Sequence, residues 1–171
     1  TSLIKLNGAD RVLIDGSLSG GADRSLTITN TNTGGTGLTP IVIWIASAST
    51  TNGATNNTIK NCNIVGAGAS ATIGGILAGS GATVGGDAEA PNSNNTLQNN
   101  LVVGVQNAMY LRGVATNLDQ NWVVTGNTLG STDPAQKLSL LREYVRACVR
   151  RSLHESEALV RLSFEGGTAL R

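Results

Sequence analysis

Residues 56–66 read NNTIKNCNIVG and residues 94–104 read NNTLQNNLVVG, so one pattern returns after 38 residues. Looser copies, RVLIDGSLSG and WVVTGNTLG, begin at residues 11 and 122. Apolar and polar residues alternate within each copy with a period of two, which indicates β-strands and not helices. A repeat of this length holds about three short strands with their turns. The sequence therefore predicts a β-solenoid.

A second series interleaves with the first and reads LIKLNG at 3–8, IVIWIAS at 41–47, IGGILAG at 73–79 and NAMYLRG at 107–113. Aligning these copies predicts two ladders that point inward. Their members are Leu6, Ile45, Leu77 and Leu111 in one ladder, and Ile4, Ile43, Gly75 and Met109 in the other. The residues between them form an outward row of Lys5, Trp44, Ile76 and Tyr110.

The first series gives an inward ladder of Ile14, Ile59, Leu97 and Val124 and an outward row of Asp15, Lys60, Gln98 and Thr125. Asp15 and Lys60 are interpreted as a surface charge pair. The next column contains Gly16, Asn61, Asn99 and Gly126. Glycine and asparagine both tolerate positive φ, so this column is predicted to be a corner of the solenoid. Asn61 above Asn99 is a candidate step of a side-chain amide ladder.

The simplest all-β architecture is a parallel β-helix of about four coils, in which each coil adds one strand to each of about three parallel sheets. The loops at 30–40, 48–56 and 80–94 are expected to project outward. Met109 falls in the core by the same register, and Cys62 is expected to be a small, buried or half-buried core residue.

Composition changes sharply near residue 132. Residues 1–132 hold 11 charged residues and all 17 asparagines, whereas the 39 residues of 133–171 hold 12 charged residues. This change predicts two parts, a parallel β-helix at 1–132 and an amphipathic helical tail at 133–171. Asp133 and Pro134 suit a helix cap and first helical residue.

Residues 2–132 resemble the right-handed parallel β-helix repeats of large secreted surface proteins of Bacteroidetes-like bacteria. The segments that carry the resemblance are LNGADRVLIDGSLSGG, VIWIASASTTNGATNNTIKNCNIVG and NNTLQNNLVVGVQNAMYLRG. The resemblance implies a pectate-lyase-like fold, a secreted or cell-surface location, a carbohydrate or adhesive context and a larger multidomain chain. It names no reaction, because this fold supports many functions.

Catalysis on polysaccharides requires clustered carboxylates or a base beside a uronate. No two acids recur on one predicted column, and the pair Asp87 and Glu89 is interpreted as part of a solvated loop in preference to a cation site. The sequence therefore predicts no catalytic residue, metal or cofactor and favours a non-catalytic structural or adhesive module. The alternative is a fragment of a polysaccharide lyase or glycoside hydrolase whose catalytic coils are missing.

The candidate ligand-binding residues are Lys5, Trp44, Tyr110 and Arg112. Aromatic rings at coil spacing on a flat sheet face can stack on sugar rings, with cations at the edge. The alternative is that a loop or a neighbouring domain covers these side chains. The net charge of +1 argues against nucleic acid as a partner, and no apolar run is long enough to span a membrane.

The tail carries an apolar stripe through Leu138, Leu141, Val145 and Cys148, which is typical of an amphipathic helix. Its end, LVRLSFEGGTALR, resembles the start of the nucleotidyltransferase domain of abortive-infection-type toxins, with Gly166, Gly167 and Thr168 at the phosphate-binding turn. The metal-binding acids expected downstream are not present before Arg171. The tail is interpreted either as a foreign fusion or as a helix that caps the last coil.

Overall fold

The computed structural model of the chain describes residues 2–33 and 39–130. These residues form three parallel sheets of four strands each and contain no helix. The chain adds one strand to each of the three sheets, which we call A, B and C, in the same order four times. We call each set of three consecutive strands, with its connections, a pass. This is the strand arrangement of a parallel β-solenoid, as the repeat predicts.

The strands of the three sheets are short. Sheet A contains β1 (Ser2–Asn7), β4 (Ile41–Ala46), β7 (Gly74–Gly79) and β10 (Asn107–Leu111). Sheet B contains β2 (Leu13–Asp15), β5 (Thr58–Lys60), β8 (Thr96–Gln98) and β11 (Val123–Thr125). Sheet C contains β3 (Leu26–Asn30), β6 (Cys62–Gly66), β9 (Leu101–Val103) and β12 (Thr128–Leu129).

The register of sheet B agrees with the sequence prediction. Ile14 pairs with Ile59, Ile59 with Leu97, and Leu97 with Val124. In the adjoining outward row, the Lys60 ammonium lies 3.1 Å from the Asp15 carboxylate, which confirms the predicted surface pair.

The register predicted for the third strand of sheet A is wrong by one residue. Ile76, and not Gly75, pairs with Ile43 and with Met109. The remaining ladders change with it, so Ala78 joins the inward ladder of Leu6, Ile45 and Leu111, and Leu77 joins the outward row of Lys5, Trp44 and Tyr110. A shift of one residue moves every side chain of a strand to the opposite face of its sheet.

The core lies between the three sheets and is aliphatic. Its fully buried residues include Ile43, Ile59, Ile64, Ile76 and Leu97. Cys62 is a free, buried core residue, as expected. Met109 is partly buried and packs against this core.

Buried asparagines join successive passes where sheet A gives way to sheet B. The Asn57 side chain accepts a hydrogen bond from the Val12 amide (2.9 Å) and donates to the Ala9 carbonyl (2.8 Å). One pass later, the Asn95 side chain accepts from the Asn57 amide and donates to the Ala54 carbonyl, both at 2.9 Å. Each asparagine thereby satisfies two main-chain groups of the preceding pass.

The last pass has Trp122, and the first pass Val12, where passes 2 and 3 have asparagine. The Trp122 indole nitrogen donates to the Asn92 carbonyl and takes over the donor role of the asparagine amide. The residues directly before these side chains all have φ between 56° and 59°, and they are Arg11, Asn56, Asn94 and Asn121. A rule that assigns corners to glycine or asparagine identifies three of these four residues and misses Arg11.

The second corner, between sheets B and C, is the predicted column. Asn61, Asn99 and Gly126 have φ of 57°, 50° and 63°, and Asn99 Nδ2 donates to Asn61 Oδ1 at 2.8 Å. Gly16 is not among the residues with positive φ. The reason for glycine there is close approach, because a Cβ atom at Gly16 would lie 2.0 Å from the Asn61 carbonyl oxygen.

Several predictions concern residues outside the described ranges. They are the helical tail at 133–171, its apolar stripe, Cys148, and the phosphate-turn residues Gly166, Gly167 and Thr168.

We predict that Asn95→Ala lowers the free energy of unfolding by about 2–4 kcal/mol, because it leaves two buried main-chain groups unpaired. Chemical denaturation measures the change. Gln98→Ala on the exposed face of the adjoining strand β8 is the control and should change stability by less than about 0.5 kcal/mol. Equal effects of the two substitutions would contradict the role assigned to Asn95.

Candidate functional site

The outward row of sheet A, proposed from the sequence as a sugar-binding face, is partly covered. Trp44 is only 9% exposed, and the Lys5 ammonium lies 4.2 Å from the centroid of its ring. Leu77 and Trp44 belong to one outer cluster, and Val84 from the following loop packs against this cluster. The Trp44 ring therefore belongs to a small outer hydrophobic cluster and does not offer an open face for stacking.

The loop after β7 is fastened over this row by Glu89. Its carboxylate accepts hydrogen bonds from the hydroxyls of Ser47 and Ser80 and from the amide of Gly81. The Glu89 amide donates in turn to Ser47 Oγ at 2.9 Å. Lys5 adds a bond from its ammonium to the Gly81 carbonyl at 2.7 Å. Of the two acids in the predicted solvated loop, Glu89 thus ties the loop to Ser47, the residue that follows β4.

Ionisation of Glu89 is favoured by these donors. Burial opposes ionisation, but the hydrogen bonds from Ser47, Ser80 and Gly81 outweigh it and lower the pKa of Glu89 to about 2. The carboxylate is therefore charged at neutral pH and serves as an acceptor.

Tyr110 and Arg112 form the accessible end of the row. Arg112 is exposed, and its guanidinium donates to the Asp87 carboxylate at 2.6 Å and to the Gly85 carbonyl at 2.8 Å. The same guanidinium lies 3.2 Å from the half-buried Tyr110 hydroxyl. The structure therefore brings Lys5 to Trp44 and Arg112 to Tyr110, and Tyr110 packs against the same outer cluster as Trp44.

The other acids near the surface are also held by local donors. Asp10 accepts from the hydroxyl and amide of Thr55, which lower its pKa. Asn61, Ser17 and Lys60 do the same for Asp15. Asp23 binds the Leu18 amide at 3.0 Å and the hydroxyls of Ser17, Ser19 and Ser25, which lower its pKa strongly.

A shallow polar cleft of about 480 Å³ lies beside the first corner. Hydroxyl, amide and carboxylate groups line it, among them those of Asp10, Thr51, Asn52, Thr55 and Ser93. The sequence does not predict this cleft, because its walls come from three passes and carry no motif. The only available signal was the run of small polar residues before each copy of the repeat.

Within the described ranges, no group of three or more histidine, cysteine or acidic residues is placed to hold a metal ion. The same residues include no helix that is long and apolar enough to cross a membrane. No family model, curated protein or solved structure matches the chain in comparisons with known proteins. The family resemblances therefore stay predictions from sequence.

We predict that stability falls as the pH is lowered from 4.5 to 2, partly through Glu89. A carboxylate whose pKa is lowered in the folded state stabilises the fold fully at pH values above the pKa of 4.5 that it has in the unfolded chain. This contribution is lost as the pH falls through about 2, the pKa in the folded state. Glu89→Gln should reduce the acid dependence in thermal denaturation curves. Asp87→Asn, at the exposed acid of the same loop, is the control. Identical acid dependence in wild type and Glu89→Gln would contradict the role assigned to the Glu89 carboxylate.

Proposed function

We propose that residues 1–132 act as a non-catalytic structural or adhesive module of a secreted or cell-surface protein. In this proposal the three sheets form a right-handed parallel β-helix of about four coils, pectate-lyase-like, within a larger multidomain chain. Polysaccharide or a cell-surface glycan is the proposed partner, and no cofactor takes part.

The use of the acidic side chains supports a structural role. Asp10, Asp15 and Glu89 each accept hydrogen bonds from an adjacent pass and thereby tie successive passes together. Their pKa values are lowered by these donors. A general acid must carry a proton near the working pH, so carboxylates with lowered pKa values are poor candidates for that role.

The first test is an assay for polysaccharide cleavage. Incubation of the full chain with neutral and uronate-containing polysaccharides should release neither new reducing ends nor unsaturated products. Product release that Asp10→Asn or Glu89→Gln abolishes would overturn the structural proposal and favour the alternative, a fragment of a lyase or hydrolase.

The adhesive part of the proposal rests on the accessible end of the outward row. Tyr110 offers a partly exposed aromatic side chain and Arg112 an exposed cation, a combination suited to a sugar ring and its hydroxyls. Trp44 is buried, so its removal would report on stability and not on binding.

We predict that a glycan bound by this face loses about tenfold in affinity on Arg112→Ala or Tyr110→Ala, the loss of one good polar or aromatic contact. A glycan panel followed by titration of any hit measures the change. Asp10→Asn, in the separate polar cleft, is the matched control. Unchanged affinity in both row variants, or no glycan bound at all, would overturn the adhesive part of the proposal.

A further inference from the structure

Asp119 holds the only buried side-chain oxygen without a hydrogen-bond partner among the residues that the structure describes. It lies in the segment between β10 and β11, in the last pass. One carboxylate oxygen, Oδ1, accepts from the Asn92 amide at 2.7 Å. The other, Oδ2, is buried and unpaired. A buried acceptor of this kind has a free-energy cost that the fold must offset elsewhere.

The hydrogen bonds of the preceding pass show what this position does. There the Asn92 side chain accepts from the Ala54 amide at 2.9 Å and donates from Nδ2 to the Gly79 carbonyl at 3.1 Å. Asp119 accepts from the Asn92 amide in the same way, so it occupies in pass 4 the place of Asn92 in pass 3. Both oxygens of an ionised carboxylate are acceptors, so the donor half of the arrangement is missing.

The main chain that would receive this missing bond lies beside the carboxyl group. Leu111 pairs with Ala78, so Arg112 is the counterpart of Gly79. A Cβ atom added at the next residue, Gly113, would lie 3.4 Å from the carboxyl carbon of Asp119. The Asp119 carboxyl group thus packs against the main chain that follows β10.

We propose that Asp119 is a proton-operated latch within the last pass. In its protonated form the carboxyl group donates to the main chain at residues 112–113, as the Asn92 amide donates to Gly79. This bond closes the segment 112–121 on itself, while the Asn92 amide ties that segment to 88–94 through Oδ1. Loss of the proton removes the donor, leaves Oδ2 as a buried acceptor without a partner and loosens the last pass.

Among the residues that the structure describes, Asp119 forms no ion pair. The segments packed against it carry two ionisable side chains, Glu89 and Arg112, and these are held by their own partners, the Ser47 and Ser80 hydroxyls and the Asp87 carboxylate. Asn117 donates to the Glu89 carbonyl at 3.1 Å and adds a bond that does not depend on pH in this range.

The pKa of Asp119 agrees with this geometry. Burial raises it from 3.8 to about 6, against the opposing hydrogen bond from the Asn92 amide. The latched state therefore binds a proton more tightly than the open state. Its extra stability is complete below pH 3.8 and is lost as the pH rises through about 6.

Two measurements on the full chain test the latch. The side-chain carboxyl carbon of Asp119, followed by NMR, should titrate near pH 6. Hydrogen exchange, expressed as protection factors to remove the intrinsic effect of pH, should show the amides of 112–121 about tenfold less protected at pH 7.5 than at pH 5. Asp119→Asn should fold, show higher protection than wild type at pH 7.5, and lose the pH dependence.

Asp10→Asn is the matched control, since this exposed acid has a lowered pKa and should leave the pH effect unchanged. Titration of Asp119 near its ordinary value would overturn the proposal. Equal protection of 112–121 at the two pH values, or a pH effect that persists in Asp119→Asn, would overturn it as well.

Discussion

Every corner of a parallel solenoid breaks the sheet hydrogen bonding and leaves buried main-chain N–H and C=O groups to be satisfied. In this protein asparagine side chains satisfy them. Asn100 accepts from the Cys62 amide and donates to the Ile59 carbonyl, and Asn127 repeats the arrangement one pass later on Asn100 and Leu97. The primary amide suits this role because it is both a donor and an acceptor of fixed separation.

The same constraint explains the exceptions. Trp122 supplies the donor alone, and Asp119 supplies the acceptor alone unless it is protonated. Both belong to the last pass. Polar ties of this kind, added to an aliphatic core, allow a chain with few aromatic residues to hold twelve short strands in register.

Much of the fold could be predicted from the sequence because the repeat carries the register. Sheet B was predicted correctly, since its strands alternate and are followed by the Gly/Asn column. In sheet A the register of β7 was not, because this strand is buried along its whole length and loses the alternation. With Ile76 and Leu77 adjacent and two glycines before them, the pattern admits either register.

The candidate site was harder to predict. The outward row was found in three of its four members, but whether it is open depends on a loop that Glu89 fastens to Ser47, 42 residues earlier in the chain. Periodicity does not report such long-range side-chain bonds. The first corner was missed for a related reason, because Arg11 there adopts a positive φ that residue type alone does not suggest.

Hydrogen exchange of the asparagine side-chain amides tests whether these side chains hold the corners of the solenoid. If asparagines bind the passes together, the Nδ2 protons of the fully buried Asn92, Asn95 and Asn100 exchange only on global unfolding, while those of the exposed Asn56 exchange rapidly. Rapid exchange at all four positions would contradict the account, because those amides would then be open to water and could not hold the corners.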